Sequence, residues 1–342
     1  MPKFRAGAPL CGRDRAKIGT ACPRTARFPG HIPHLALFFN RVLYTSVRVD
    51  SGGVPHIAYQ YYGAFSADAQ MYAYMKSEGM GNCGEGGVTL DWQCDLIYNA
   101  EGVGMYASLD LDGDGEPSIA YYDADNGYPL VATHVGWAGG NCGPNNKWYC
   151  RSVHQPTLDT GKYVSLYVED SGLPHIAYHN VTSGTLEYAE WVGSGGNCGF
   201  NSVSMQREWQ CDEIDDTGTS LTSMGVSLVE DGAGYPIIAY QDASEALAPA
   251  ILNVARPVLA LDSSVVPNCG PEDLFLTWYC DTIDRGGAYT DEAGSASIAV
   301  NSAGLATIAY HELDSYAYPA EGNLKVAYQR LQVFLPLALK NW

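Results

Sequence analysis

The sequence predicts an all-β fold made of five copies of one antiparallel unit, and three observations carry that reading. First, a pentapeptide recurs as Pro55-His56-Ile57-Ala58-Tyr59, Pro117-Ser118-Ile119-Ala120-Tyr121, Pro174-His175-Ile176-Ala177-Tyr178, Pro236-Ile237-Ile238-Ala239-Tyr240 and Ala306-Thr307-Ile308-Ala309-Tyr310. The copies are spaced by 62, 57, 62 and 70 residues. Second, a serine stands nine positions before each copy: Ser46, Ser108, Ser165, Ser227 and Ser297. Third, an Asn-Cys-Gly element followed by Trp-x-Cys comes after four of the copies. A fixed period of this length marks stacked supersecondary units.

Composition agrees with a globular β chain. Of 342 residues, 11% are aromatic and only 17% charged, which is not a disordered composition. No apolar run reaches about 18 residues, so no membrane-spanning helix is expected. The net charge is −19, unevenly spread. Residues 1–41 carry eight Lys or Arg against Asp14 alone, a net +7, which leaves −26 on the remainder. Such an acidic body repels phosphate backbones, so nucleic acid is not an expected partner.

Taken in order, residues 1–40 form a basic segment outside the clear repeats. It lacks the 7–15-residue apolar stretch of a secretory signal, so either the natural start lies upstream of Met1 or export takes another route. Cys11-Gly12 and Cys22 have the spacing of Cys83 and Cys94 without the Asn and Trp, and read as a worn copy of the cysteine element. Residues 41–332 are the repeats. Within one unit, Ser165-Leu166-Tyr167-Val168 is a short strand, Asp170-Ser171-Gly172 a turn, and Pro174–Tyr178 the second strand. Leu186–Trp191 is the third and Trp209–Ile214 the fourth. Proline at the first residue of a strand removes no ladder bond. Unit four carries extra residues over 246–266. The fifth unit has strands one to three, ending near Tyr328, with no Trp-x-Cys strand after it. The Cys11–Cys22 piece is expected to supply its fourth strand. Residues 333–342 are an apolar tail too short to cross a bilayer.

The cysteines pair locally, as Cys83–Cys94, Cys142–Cys150, Cys198–Cys211, Cys269–Cys280 and Cys11–Cys22, 8 to 13 residues apart. Zinc sites use closer Cys spacing and converge four ligands, so disulfides are the better reading. Disulfides imply an oxidising, extracellular or cell-surface setting. One four-stranded sheet cannot cover both its faces, whereas a ring of stacked sheets leaves none bare. The expected architecture is therefore a five-bladed β-propeller of four-stranded antiparallel blades, one disulfide per blade.

The wording Ser-Leu-x-Val followed by Pro-His-Ile-Ala-Tyr and Leu-x-Tyr-Ala, as in Ser165–Ala189, resembles exported bacterial β-propeller repeat proteins. It is loosely similar to the sialidase-type (BNR) propellers. The resemblance covers about residues 45–330 and implies fold only. The sialidase-type Ser-x-Asp-x-Gly-x-x-Trp box is absent, and no arginine triad or tyrosine nucleophile can be assigned. The closing Leu-Pro-Leu-Ala-Leu-Lys is similar to the C-terminal tails of some exported surface proteins.

Function in a repeat protein sits where the symmetry breaks. Asp110-Leu111-Asp112-Gly113-Asp114-Gly115 has the alternating carboxylates and glycine bend of half a calcium loop, so Asp110, Asp112 and Asp114 are candidate ligands of a structural Ca2+. The other reading is a solvated hairpin turn. His56 and His175 share one repeat position and read as packing residues. Trp92, Trp148, Trp209 and Trp278 read as core beside the disulfides. The turn after strand two varies from unit to unit and supplies Tyr61, Tyr122, Asp123, Asp125, His179, Asn180, Asp242, His311 and Glu312. Rings with carboxylates and amides suit sugars, so these are the candidate ligand residues. Asn180-Val181-Thr182 is also a glycosylation sequon.

No nucleophile elbow, zinc-protease or phosphate-loop motif occurs. The leading expectation is a non-catalytic propeller that binds glycan at or outside the cell surface. A glycoside hydrolase or lyase using Asp123, Asp125, Asp242 or Glu312 is the second reading. A structural surface-layer protein that contacts another protein is the third.

Overall fold

The computed structural model describes residues 4–6, 41–63, 68–84, 90–137, 139–153, 159–218, 225–242, 251–258, 266–270, 276–284, 296–314 and 321–329. Their strands form five antiparallel sheets. Sheet one holds Arg41–Val49, Pro55–Tyr62, Ala69–Met75 and Trp92–Asn99. Sheet two holds Val103–Leu111, Pro117–Asp123, Tyr128–His134 and Trp148–Ser152. Sheet three holds Thr160–Val168, Pro174–Asn180, Thr185–Trp191 and Gln206–Asp216, with Cys198–Asn201 added at its edge. Sheet four holds Val226–Glu230, Pro236–Asp242, Ile251–Pro257 and Trp278–Asp284. Sheet five holds Ser297–Val300, Ala306–Asp314 and Glu321–Gln329, with Phe4–Ala6 as its fourth strand.

The core lies between sheets, because the Ile-Ala-Tyr strand is apolar on both faces. Ala58 and Tyr72 of sheet one meet Leu109, Ile119 and Trp148 of sheet two. Ala120 and Val131 of sheet two meet Ile176 and Trp209 of sheet three. Ala177 and Tyr188 of sheet three meet Ile238 and Trp278 of sheet four, and Ala239 and Val254 of sheet four meet Ile298 and Ile308 of sheet five. Trp148, Trp209 and Trp278 therefore each fill the gap to the sheet before their own. Trp148 packs edge-on against Tyr72 at 5.1 Å and Trp278 against Tyr188 at 5.4 Å.

The recurring serine joins neighbours. Ser46 Oγ accepts the Leu109 N–H at 3.0 Å, Ser108 Oγ that of Leu166 at 3.0 Å, Ser165 Oγ that of Leu228 at 2.9 Å and Ser227 Oγ that of Ile298 at 3.1 Å. First strands are thereby the inner edges, where successive sheets approach each other. The series has two free ends. Val47, in the register of Leu109, Leu166, Leu228 and Ile298, is 55% exposed, whereas those four are at most 5%. Ser297 is also exposed. Among the described residues the sheets thus form a row of five with four shared faces, rather than the closed ring expected.

Four disulfides are present among the described residues, where five were expected: Cys83–Cys94, Cys142–Cys150, Cys198–Cys211 and Cys269–Cys280. Cys11, Cys22 and the tail 333–342 lie outside the described residues. The repeated spelling around each bridge has a mechanical reason. Asn141 Nδ2 donates to Cys150 O at 3.0 Å while its Oδ1 accepts the Cys150 N–H at 2.7 Å, so the side chain pairs with the backbone as a strand would. Asn82, Asn197 and Asn268 do the same for Cys94, Cys211 and Cys280. The glycine after the first cysteine is forced: at Gly199, φ is +63° and a Cβ would stand 2.3 Å from the Trp209 ring.

Sheet five replaces this element. Its third-strand Ala327 faces Ala6, where Ala73, Ala132, Ala189 and Ala255 face the second cysteine of their sheets. Phe4-Arg5-Ala6 therefore occupies the register of Trp-x-Cys, with Phe4 opposite Gln329.

Candidate ligand-binding site

First strands begin, and second strands end, at the same end of the stack. There the first strands of sheets one to three are each irregular, between Leu43 and Ser46, Met105 and Ser108, and Lys162 and Ser165. Each irregularity holds a tyrosine two residues before the recurring serine, in the left-handed region: Tyr44 at φ 49°, Tyr106 at 56° and Tyr163 at 58°. A bulky residue there stores strain of order 1–3 kcal/mol, and a bulge re-aims its side chain. The outcome is a continuous aromatic arc across three sheets. Ring centroids are 4.8 Å apart for Tyr44–Tyr106 and 4.7 Å for Tyr106–Tyr163, and Tyr122 adds a fourth ring 6.1 Å from Tyr106. Tyr44, Tyr106 and Tyr163 are each half-buried, so the arc keeps an open side. Burial first, then the neighbouring phenols of Tyr163 and Tyr44, pushes the Tyr106 pKa upward, so the central phenol stays protonated and neutral. In sheet four the same position is Gly225, which ends the arc.

The arc was not among the expected residues, although its offset from the serine repeats and was open to view. Of those that were, Tyr122 belongs to it. Tyr122 donates its hydroxyl to Asp159, and Lys162 Nζ donates to the other Asp159 oxygen at 2.7 Å. Tyr61 and His311 lie half-buried at the same strand ends, and Asp125 is exposed there. Glu312 is positioned by register opposite Asn323; its side chain lies outside the described residues.

Asp123 and Asn180 turn inward. Asp123 is buried, accepts the N–H groups of Asp125 at 3.1 Å and Asn126 at 3.0 Å, and takes the Asn126 amide at 2.8 Å. Asn180 Oδ1 accepts the N–H groups of Thr182 and Ser183, each at 3.1 Å, while its amide donates to Glu187 at 2.5 Å. Both lock the turn that follows strand two, and the Asn180 amide is engaged rather than offered for glycosylation. His179 is 1% exposed, and neither ring nitrogen makes a regular hydrogen bond. Burial pushes its pKa down to about 4, against the opposing pull of the Gly218 backbone, so it is a neutral core histidine at neutral pH.

One carboxylate at this end was missed. Asp215, at the end of a fourth strand, accepts the Tyr240 hydroxyl of the next sheet. Burial first, with the charge of Asp242 acting in the same direction, raises its pKa to about 6 against the pull of that bond. Tyr310 makes the same kind of contact to Asp284 at 2.6 Å.

The expected metal residues sit at the opposite end. Asp110 accepts the Arg48 guanidinium at 2.9 Å through Oδ1 and the Val168 N–H at 3.0 Å through Oδ2, tying sheets one, two and three together. Asp112 Oδ1 caps its own turn, accepting from Asp114 N at 3.0 Å and Glu116 N at 2.8 Å. Among the described residues no group of three or more His, Cys, Asp or Glu converges as a metal site. His56 and His175 each bond the hydroxyl of a third-strand tyrosine, Tyr72 at 2.5 Å and Tyr188 at 2.6 Å. A cavity of about 430 Å³ opens against the disulfide loop of sheet three, with Glu187, Arg207 and Glu213 in its wall. None of the expected ligand residues lines it.

No helix among the described residues is long and apolar enough to cross a membrane. No family model matches the chain, and no curated protein matches it. Among solved structures it is similar to a protein of unknown function from Dyadobacter fermentans, at 10% identity and TM-score 0.37, over 85% of this chain and 95% of that one. It is similar to the AofleA protein of Arthrobotrys oligospora at 13% identity and TM-score 0.39, over 81% of each chain. A leech intramolecular trans-sialidase, crystallised with 2,7-anhydro-Neu5Ac, aligns at 11% identity and TM-score 0.40, over 84% of this chain and 42% of that enzyme. At these scores the likenesses assign the chain to no family.

Proposed function

We propose that the five sheets close into a five-bladed propeller and that the end bearing the tyrosine arc binds a neutral carbohydrate outside the cell, without catalysis. Closure is supported by the repeating serine contact. Ser297 is the one recurring serine without a following sheet, and Val47 is the one equivalent apolar residue without a preceding one. Setting sheet five on sheet one satisfies both and brings Trp92 onto the face where the other tryptophans are buried. The four disulfides support an oxidising, extracellular setting.

The observation that carries the ligand class is the arc of Tyr44, Tyr106 and Tyr163. Half-buried phenol rings offer the C–H faces of a pyranose a stacking surface and its hydroxyls a hydrogen-bond edge. The acidic body disfavours anionic sugars. Glycan-array screening followed by calorimetry tests this. Binding of a neutral oligosaccharide that weakens about tenfold or more in Tyr106→Ala is the expected result. An unaffected affinity in that variant rejects the site.

A second reading, glycoside hydrolysis at the same end, is favoured by Asp215, whose raised pKa near 6 is that of a general acid, beside Asp242. Turnover of a bound glycan, abolished by Asp215→Asn, would select it over simple binding.

A further inference from the structure

The loops joining third to fourth strands lie at the end of the stack opposite the tyrosine arc, on its outer rim. Each carries exposed apolar side chains: Met80 in sheet one, Val135 and Trp137 in sheet two, Val192, Phe200, Val203 and Met205 around the loop of sheet three, and Val266 in sheet four. Val203 is 91% exposed and Trp137 77%. In sheets two and three Trp137, Val203 and Met205 are the most exposed of them. The loops turn on glycines with positive φ, at Gly136, Gly143, Gly193, Gly195 and Gly199, and are clamped by their disulfides.

Charge sets the loops of sheets two and three apart. Residues 135–147 and 192–207 contain none of the chain's 38 Asp and Glu, but they contain Lys147 and Arg207. Lys147 Nζ stands 4.3 Å over the Trp137 ring. The two loops share one surface: Asn201 donates to the Tyr149 hydroxyl at 3.1 Å, and the Arg151 guanidinium lies 4.6 Å over Tyr149 and 4.7 Å over Trp191. Asp50, Asp110 and Asp170 belong to the turns after the first strands, toward the inner edge, whereas Glu208, at the foot of the sheet-three loop, is buried and accepts from Asn201 at 2.8 Å and Ser204 at 3.1 Å.

We propose that the disulfide loops of sheets two and three dock edge-on against an anionic lipid bilayer. Trp137, Val203 and Met205 enter the headgroup layer, and Lys147 and Arg207 meet its phosphates. An indole favours that layer because one edge is apolar and the other a hydrogen-bond donor. Protruding apolar tips suit a yielding surface, whereas a protein partner of the same size would need a matching groove. Loops that expose Lys147 and Arg207 while burying the adjacent Glu208, on a chain of charge −19, complement a negative surface where the rest of the chain repels it. The proposal does not rest on the carbohydrate reading, whose site is at the other end.

The test is co-sedimentation of the full chain with large unilamellar vesicles of phosphatidylcholine with and without phosphatidylglycerol. Two cations near the surface predict roughly 30-fold stronger partitioning onto the anionic vesicles, falling as salt is raised. Combining Trp137→Ser, Val203→Ser and Met205→Ser is expected to lower partitioning about tenfold or more, with an unchanged melting temperature. Leu96→Ser, an exposed apolar position away from these loops, is expected to leave it unchanged. Brominated acyl chains should quench tryptophan fluorescence in the wild type and not in Trp137→Phe. Absence of vesicle binding, equal binding by the triple variant, or concentration-dependent self-association abolished by the triple variant without vesicle binding would each overturn the proposal.

Discussion

Ring closure makes a prediction that separates two otherwise equivalent serines. Ser108 Oγ accepts the Leu166 N–H at 3.0 Å, and Leu166 is buried. Ser108→Ala leaves that N–H without its partner, which costs about 1–3 kcal/mol, toward the lower end if water follows. For a chain of this size that is a fall in melting temperature of roughly 2–4 °C per kcal/mol. Ser165→Ala and Ser227→Ala should behave alike. Ser297 accepts no such bond in the row of sheets, so in an open row Ser297→Ala is neutral. In a closed ring it accepts the Val47 N–H and its loss matches the others. Val47→Asp gives the stronger contrast. At an exposed position it changes stability by about 0.5 kcal/mol at most, but under sheet five it buries an unpaired carboxylate and costs several kcal/mol. Differential scanning calorimetry of the five variants decides between them. A neutral Ser297→Ala together with a neutral Val47→Asp, beside a destabilised Ser108→Ala, would falsify the ring.

Further predictions follow from the same contacts. His179 has a folded-state pKa near 4 against an ordinary 6.5, so the unfolded chain binds its proton first. Stability from this residue is full above pH 6.5 and declines toward pH 4, by about 3 kcal/mol at most. Asp215, raised from 3.8 to about 6, acts in the opposite sense, since protonation on going from pH 6 to 4 relieves its burial. His179→Gln should flatten the acid limb of a urea-midpoint profile between pH 6.5 and 4; an unchanged limb would show the imidazole to be hydrated. Gly199→Ala, which drives a methyl into the Trp209 ring, should cost more than about 2 kcal/mol by chemical denaturation, where Gly195→Ala, with open space at its Cβ, costs only its backbone strain. Because Asp110 already bonds Arg48 and Val168, adding Ca2+ or chelator should leave the melting temperature unchanged; a calcium-dependent rise would show that the loop reorganises around the ion.

The fold was legible because its signals are periodic. The Ile-Ala-Tyr strand announces two covered faces by its lack of alternation, and the Asn-Cys-Gly and Trp-x-Cys words announce a local bridge. The serine was visible but its purpose was not. A fixed offset shows only that a serine recurs, not that its hydroxyl accepts an N–H from the next sheet. The candidate site was less legible for a related reason. A sequence shows that Asp123 and Asn180 sit in turns, not that their side chains fold back onto backbone N–H groups. Tyr44, Tyr106 and Tyr163 look like ordinary strand tyrosines until a bulge redirects them. Asp215 looks solvent-facing until Tyr240, from the following sheet, covers it.

The pairing of Phe4–Ala6 with Glu321–Gln329 bears on the order of assembly. On a ribosome, sheets one to four can mature as soon as their own strands emerge, each from contiguous chain. Sheet five must wait for partners that lie 325 positions apart, from Phe4 to Gln329. A segment made before sheet one is thus the last to find its place, and must be kept from mispairing with exposed edges while the sheets between are translated. A circular permutant that joins this strand directly after residue 329 would remove that delay and should refold faster at equal stability.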